Sequence, residues 1–319
     1  MSISVVGAGA FGTALAISIA RTGAEVTLWA RDPDHALAMH STRKNATRLP
    51  GVELPKTVTA TSSISDILTN TVLLAIPMQQ MRGLLTSTPQ LRGKLLVACC
   101  KGVELETELG PVSVIRDCIE DATPAILTGP SFAADIARGL PTALTLAIES
   151  ETIGQELQGQ LSTPNIRIYR TTDTIGAELG GALKNVMAIA CGAAMGAGLG
   201  ESARAALMTR GYAEMQRMAR ALGAHPETLA GLSGFGDLAL TCTSDQSRNY
   251  RFGLSLGRND NFDTGITVEG AATARAVQAR ARHMKIDMPI TDAVVGLIDH
   301  DLKIPQAMEM LLSRPPKEE

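Results

Sequence analysis

Val5-Val6-Gly7-Ala8-Gly9-Ala10-Phe11-Gly12-Thr13-Ala14 decides how this chain folds. Branched apolar residues run into a glycine-spaced turn, and a helical pattern leads out of it. The spacing Gly7-x-Gly9-x-x-Gly12 is the dinucleotide fingerprint. Each glycine has its own task. Gly7 permits the tight turn off a strand, Gly9 has no side chain to hold the backbone away from a pyrophosphate, and Gly12 lets the helix approach the sheet. The helix that starts at Ala10 and Phe11 offers free N–H groups and the positive end of its dipole to the phosphates. Such a spacing is weak by itself in a chain with 30 glycines. Its context strengthens it: an apolar strand before, a helix after, and a second strand from Glu25 to Ala30.

The alternation continues outward from this turn. Apolar runs at 3–6, 25–30, 71–76, 95–98, 125–127, 143–148 and 166–169 predict strands. Helical spacing is found over 10–22, 33–41, 79–86, 105–119, 131–137 and 152–161. Strands alternating with helices imply an α/β domain with a Rossmann-type, mostly parallel sheet. Gly23 suits the end of the first helix, and 44–55 reads as loop. The character changes after residue 172. From Ile175 to Leu312 there is no convincing strand, and Ala, Leu, Met and Gly recur at helical spacing, with Leu179, Leu183, Val186 and Ala190 on one face. The expected organisation is a dinucleotide-binding domain over 1–172 and an all-α C-terminal domain, carrying substrate and catalysis, over 173–319, with a frayed tail from Arg314 to Glu319. Ligands of open parallel sheets lie beyond the carboxyl ends of the strands, so a site between the two domains is expected.

Composition narrows the function. A formal net charge of −3 over 319 residues gives no reason to expect a nucleic-acid partner. The five cysteines show no C-x-x-C pair and no zinc spacing, which fits free thiols in a reducing cytoplasm. No metal site is expected. Residues 1–20 carry no charge, as a signal peptide core would, but a signal peptide needs a basic segment ahead of that core and none is present. A cytoplasmic enzyme without membrane insertion is the expectation. For the nucleotide, an acidic residue about 20 positions past the last glycine usually holds the ribose 2′-hydroxyl. Arg31 and Asp32 fill that window. The Arg31 guanidinium suits a 2′-phosphate or an adenine face, whereas Asp32 ahead of Pro33 reads as a helix cap. NADP is favoured, with NAD accepted.

Four later stretches carry more chemistry than a scaffold needs. Gly180-Gly181-Ala182-Leu183-Lys184-Asn185 sets a lysine one turn after two glycines, each costing roughly 1 kcal/mol in a helix interior, so space for a ligand beside Lys184 is expected. Gly234-Phe235-Gly236-Asp237-Leu238 reads as a flexible loop delivering a carboxylate. Ser247-Arg248-Asn249 at a helix start suits a phosphate. Thr267-Val268-Glu269-Gly270 offers another carboxylate in a loop.

Taken with G-A-G-x-x-G-T-A-L, Leu28-Trp29-Ala30-Arg31, Lys101-Gly102 and Gly129-Pro130-Ser131-Phe132, these stretches resemble the bacterial NAD(P)-dependent sn-glycerol-3-phosphate dehydrogenases, in order from residue 3 to about 312. The resemblance implies interconversion of glycerone phosphate (dihydroxyacetone phosphate) and sn-glycerol 3-phosphate, supplying phospholipid synthesis. It implies Lys184 as the proton-transfer residue. It implies a substrate shell of Lys101, Gly129, Ser131, Lys184, Asp237, Ser247, Arg248 and Asn249. It places Gly7, Gly9, Ala10, Phe11, Gly12, Arg31, Lys101, Ala133, Arg248, Thr267 and Glu269 at the cofactor. Phe11 departs from the commoner Trp, and Cys100 from the usual Thr or Ser; the latter removes a hydrogen bond and adds an oxidisable group. A homodimer is the expected assembly.

Two rival readings remain open at this point. A β-hydroxyacid or ketopantoate-type reductase shares the two-domain plan, but its carboxylate substrate has no need of Ser247-Arg248-Asn249 together with Lys101. A non-catalytic NADP-binding protein would bind cofactor without turnover, which leaves the pairing of Lys184 with Asp237 unexplained.

Overall fold

The computed structural model describes residues 2–263 and 265–313. The tail expected to fray lies outside them. Eight strands form one sheet: β1 (Ser2–Val6), β2 (Glu25–Trp29), β3 (Val58–Thr61), β4 (Thr71–Leu74), β5 (Leu95–Ala98), β6 (Thr123–Thr128), β7 (Thr142–Ala147) and β8 (Ile166–Thr171). Their spatial order is β3-β2-β1-β4-β5-β6-β7-β8. Every neighbouring pair is parallel except β6 and β7. The mostly parallel Rossmann-type sheet read from the alternation is therefore present. Strands β4 and β5 are buried at every residue, which is why they read as continuous apolar runs and not as alternation.

Helices α1 (Ala10–Ala20), α2 (Pro33–Thr42), α3 (Met78–Ser87), α4 (Pro111–Cys118), α5 (Ala133–Arg138) and α6 (Glu151–Leu161) connect these strands. After them come α7 (Thr174–Gly196), α8 (Gly200–Ala221), α9 (Pro226–Ala230), α10 (Asp237–Cys242), α11 (Arg248–Arg258), α12 (Glu269–Met284), α13 (Pro289–Ile298) and α14 (Ile304–Leu312). The chain divides into two compact units. One comprises Met1–Lys101 and Gly110–Glu178, the other Gly102–Leu109 and Leu179–Glu319.

Three sequence expectations need correction. Strand β3 was not expected; at four residues with only alternate burial it carries too little pattern to read. The helix expected over 105–119 begins only at Pro111, after Gly110 as its N-cap. Residues 102–109 are not helical, Glu108 takes a left-handed φ of 58°, and Val103 is buried in the core of the helical unit. Helix α7 is not one-faced: Gly176 through Ala194 are all buried. By length and composition alone it could cross a membrane, yet 89% of its most apolar window is enclosed by the fold. A helix apolar all round is the central element of a helical core.

Candidate active site

Lys184 sits within the buried run of α7, so its charge needs partners. Its Nζ donates to Asp237 Oδ1 at 2.9 Å and to Thr241 Oγ1 at 2.6 Å. The Thr241 hydroxyl in turn donates to Asp237 Oδ1 at 3.2 Å. The Lys184 side chain is 8% exposed and that of Asp237 1%. Asp237 and Thr241 stand four apart on α10, so one helix face presents both. Thr241 was not assigned a role from sequence, where Asp237 reads as part of a loop and the shared helix face is not visible.

The backbone geometry explains how the carboxylate arrives. Residues 231–236 make a wide turn in which Gly236 N–H reaches the Gly231 carbonyl five residues back, at 3.1 Å. Asp237 follows as the first residue of α10, so it lies on a helix and not in the flexible loop expected. Gly180, one turn before Lys184, makes the approach possible. A Cβ at Gly180 would lie 2.4 Å from the Ser233 carbonyl oxygen. The space expected there for a ligand is filled by the turn that carries Asp237.

The next two helices build a polar corner. Ser247 is the N-cap of α11, its Oγ accepting from Tyr250 N–H at 3.2 Å. Arg248 follows, exposed. The Asn249 Oδ1 accepts from Gly270 N–H at 3.0 Å, and so caps α12, whose own N-cap residue Val268 has no polar side chain. A Cβ at Gly270 would lie 2.9 Å from the Asn185 carbonyl oxygen, so α12 starts against α7 beside Lys184. Glu269 opens α12, and is therefore helical, while Thr267 is exposed just ahead of it. Mutual backbone contact seats α11 on α7. Cβ atoms at Gly192 and Gly253 would lie 2.1 Å from the carbonyl oxygens of Tyr250 and Ile189 respectively.

In the sheet unit the glycine turn has the shape that its spacing implied. Gly7 takes φ +115°, and a Cβ there would lie 2.4 Å from the Ala75 carbonyl oxygen. A Cβ at Gly12 would lie 2.1 Å from the Gly7 oxygen, whereas Gly9 faces open space. Helix α1 has no side-chain cap and no acidic residue in its first turn. The N–H groups at Ala10, Phe11 and Gly12 fit the pyrophosphate of a dinucleotide. Arg31 is exposed just past β2. Asp32 caps α2 by accepting from Asp34 N–H at 3.0 Å. Farther along the sheet, the Gly129 carbonyl accepts from Lys101 Nζ at 3.0 Å and from the Ser131 hydroxyl at 3.1 Å. Ala133 opens α5 shortly after.

The thiols of Cys99, Cys100 and Cys242 near these groups are buried. Burial pushes Cys99 up to about 12, with Lys101 pulling only partly back. Burial, and then a hydrogen bond to Cys191, raise Cys242 well above the usual thiol range. Cys100 is 5% exposed, its thiol 3.9 Å from Met78 Sδ.

Comparison with known proteins settles the family. Residues 2–154 match the model of the NAD-dependent glycerol-3-phosphate dehydrogenase N-terminus, and residues 173–309 match that of its C-terminus. The chain belongs to the NAD-dependent glycerol-3-phosphate dehydrogenase family. Among its relatives in that family, glycerol-3-phosphate dehydrogenase [NAD(P)+] of Ruegeria sp. strain TM1040 is 64% identical over the whole of both chains. The crystal structure of glycerol-3-phosphate dehydrogenase from Coxiella burnetii matches with a TM-score of 0.93 at 36% identity, covering 98% of this chain and 99% of the other. A ketopantoate reductase from Ralstonia eutropha, at TM-score 0.63 and 16% identity over 98% and 100% of the two chains, shares the fold alone. Within this glycerol-3-phosphate dehydrogenase family member, the sequence-derived residues fall into two groups. Lys184, Asp237, Ser247, Arg248, Asn249, Thr267 and Glu269 lie in the helical unit. Gly7, Gly9, Ala10, Phe11, Gly12, Arg31, Lys101, Gly129, Ser131 and Ala133 lie in the sheet unit.

Proposed function

We propose that this chain interconverts glycerone phosphate and sn-glycerol 3-phosphate with NAD(P)H, and that Lys184 is its proton carrier. One observation carries the assignment of Lys184: an ammonium held in a helical core by Asp237 at 2.9 Å and Thr241 at 2.6 Å. Burying such a pair does not repay its desolvation better than an apolar pair of similar volume would, so a chemical role accounts for it better than stability does. The nicotinamide, when bound, supplies the hydride. Negative charge that develops on the substrate carbonyl oxygen is met by the Lys184 ammonium, which then gives up its proton. In the oxidative direction neutral Lys184 takes the hydroxyl proton, a contribution of roughly 10²–10⁴ in rate. Asp237 and Thr241 hold Nζ in one orientation throughout.

Arg248, with Ser247 and Asn249, anchors the phosphate, and Lys101 with Ser131 adds positive potential and a hydroxyl on the substrate side. The glycine turn, Ala133, Thr267 and Glu269 serve the cofactor. Arg31 favours NADPH by meeting its 2′-phosphate, while relatives named for NAD(P)+ support use of both nucleotides. The reading places the reaction in the cytoplasm, feeding phospholipid synthesis. The test is oxidation of NADPH and NADH, run in parallel, with glycerone phosphate and with a panel of 2-keto acids. Turnover with keto acids alone would overturn it. Arg248→Ala should raise KM for glycerone phosphate at least about tenfold, with kcat changed less, because a charge-assisted phosphate contact is remote from the reacting carbon. An unchanged KM removes Arg248 from the phosphate site.

A further inference from the structure

The stretch from Lys44 to Pro55 reads in sequence as loop and nothing more. In the fold it is pinned at its neck. Lys44 and Glu53 form an antiparallel bridge, and Leu54 N–H donates to the Arg43 carbonyl at 2.8 Å. The Arg43 guanidinium donates to the carbonyls of Val58 at 2.8 Å and Leu54 at 3.1 Å. The result turns Asn45 inward, 1% exposed. Its Nδ2 donates to the Ala8 carbonyl at 3.0 Å and to Thr13 Oγ1 at 2.8 Å. Its Oδ1 accepts from Arg48 N–H at 3.2 Å and lies 2.9 Å from His35 Nε2. A carbonyl can only accept, so the amide nitrogen must face Ala8, the amide oxygen must face Arg48, and His35 Nε2 must carry the hydrogen. Asn45 thus spends both donors and both lone pairs on four partners.

Ala8 stands inside the glycine turn. A trans peptide is planar and sends its C=O and the following N–H to opposite sides. With the Ala8 oxygen held by Asn45, the Gly9 N–H points away from Asn45, and no acceptor among the described residues meets it. Space for a ligand is open at the same residue, since a Cβ at Gly9 would touch no protein atom within 4 Å. Resting on the reading that this turn holds NAD(P)H, we propose that Asn45 is a positioning residue for the cofactor. It locks the Ala8–Gly9 peptide so that the Gly9 N–H is aimed at the pyrophosphate before the cofactor arrives.

Asn45→Ala and Thr13→Val test this, with Thr13→Ser as the control that keeps the hydroxyl. NADPH binding is read by energy transfer from Trp29, the one tryptophan of the chain, and needs no turnover. Asn45→Ala should weaken NADPH binding roughly ten- to a hundredfold, the worth of one hydrogen bond to a charged group, while adenosine 2′-phosphate, which lacks the pyrophosphate, binds within about twofold of the unaltered protein. Thr13→Val should shift NADPH affinity in the same direction, and Thr13→Ser should not. Unchanged NADPH affinity in Asn45→Ala, or parallel loss of both ligands, overturns the proposal. If Asn45→Ala does not fold, the Thr13 pair decides, and equal NADPH affinity in the two variants is the overturning result. A failure of glycerone phosphate to oxidise NADPH would remove the substrate reading and leave this binding result standing.

Discussion

Lys184 and Asp237 are almost wholly withdrawn from water, with side chains 8% and 1% exposed. Removing one member of such a pair strands the other as an uncompensated buried charge, at a cost of about 3–5 kcal/mol. Lys184→Ala should therefore lower the melting temperature as well as abolish most of kcat. The double variant Lys184→Ala with Asp237→Asn should regain part of the stability and none of the turnover. Thermal melts beside steady-state rates check this, and full recovery of rate in the double variant would remove Lys184 from the chemistry. Asp237 and Lys184 were legible in sequence as chemistry-bearing residues. Their partner Thr241 was not, because a threonine on a short helix looks like any other until the fold shows what stands opposite.

At the scale of elements, the glycines of this chain do two different things. Some remove a Cβ that backbone would strike. A methyl at Gly180 would lie 2.4 Å from the Ser233 oxygen, so Gly180→Ala must push the wide turn and drag Asp237 off Lys184. Overpacking of this kind costs about 1–3 kcal/mol, and the displacement should also depress kcat. Others sit in open space, such as Gly159 within α6, which has no atom within 4 Å of a built Cβ. Gly159→Ala should stabilise by about 0.5–1 kcal/mol and leave both Michaelis parameters unchanged. Denaturant melts of the two variants, read beside their kinetics, decide whether this division is right. Strand and helix existence was largely legible, since β4 and β5 are continuous apolar runs bounded by polar residues. The misread helix over 105–119 failed at Gly110-Pro111. Apolar spacing continues through that pair, but proline at the first helical position marks a start.

At the scale of the molecule, each unit has its own core, and in the helical one Glu214 ties two helices together. The carboxylate of Glu214, on α8 and 1% exposed, accepts from Ile290 N–H at 2.6 Å and from the Thr291 N–H and hydroxyl, each at 3.2 Å. It caps α13, whose N-cap residue Met288 has no polar side chain. Burial pushes this carboxyl from an ordinary 4.5 up to about 7, against those three donors and Arg217. An acid whose pKa is raised by folding binds its proton more tightly in the folded state. Its contribution is complete below pH 4.5 and is lost as pH rises through about 7. That loss is on the order of 3 kcal/mol at most. Glu214→Gln keeps the shape and cannot titrate, so its melting temperature should change less between pH 5 and 7.5 than that of the unaltered protein. Parallel pH profiles of the two proteins would show that Glu214 does not titrate in this window.

The sequence by itself determined seven of the eight strands, the glycine turn and the family motifs, because each depends on residues close together in the chain: a buried run, a fixed glycine spacing, a helix start. Tertiary structure decided the rest. That Gly180 yields its space to the 233–234 backbone, that Asn249 caps a helix begun twenty residues later, and that Asn45 holds the turn at Ala8 are contacts between distant segments. Hydrogen bonds and steric fit act through space, and only the folded chain says which atoms meet.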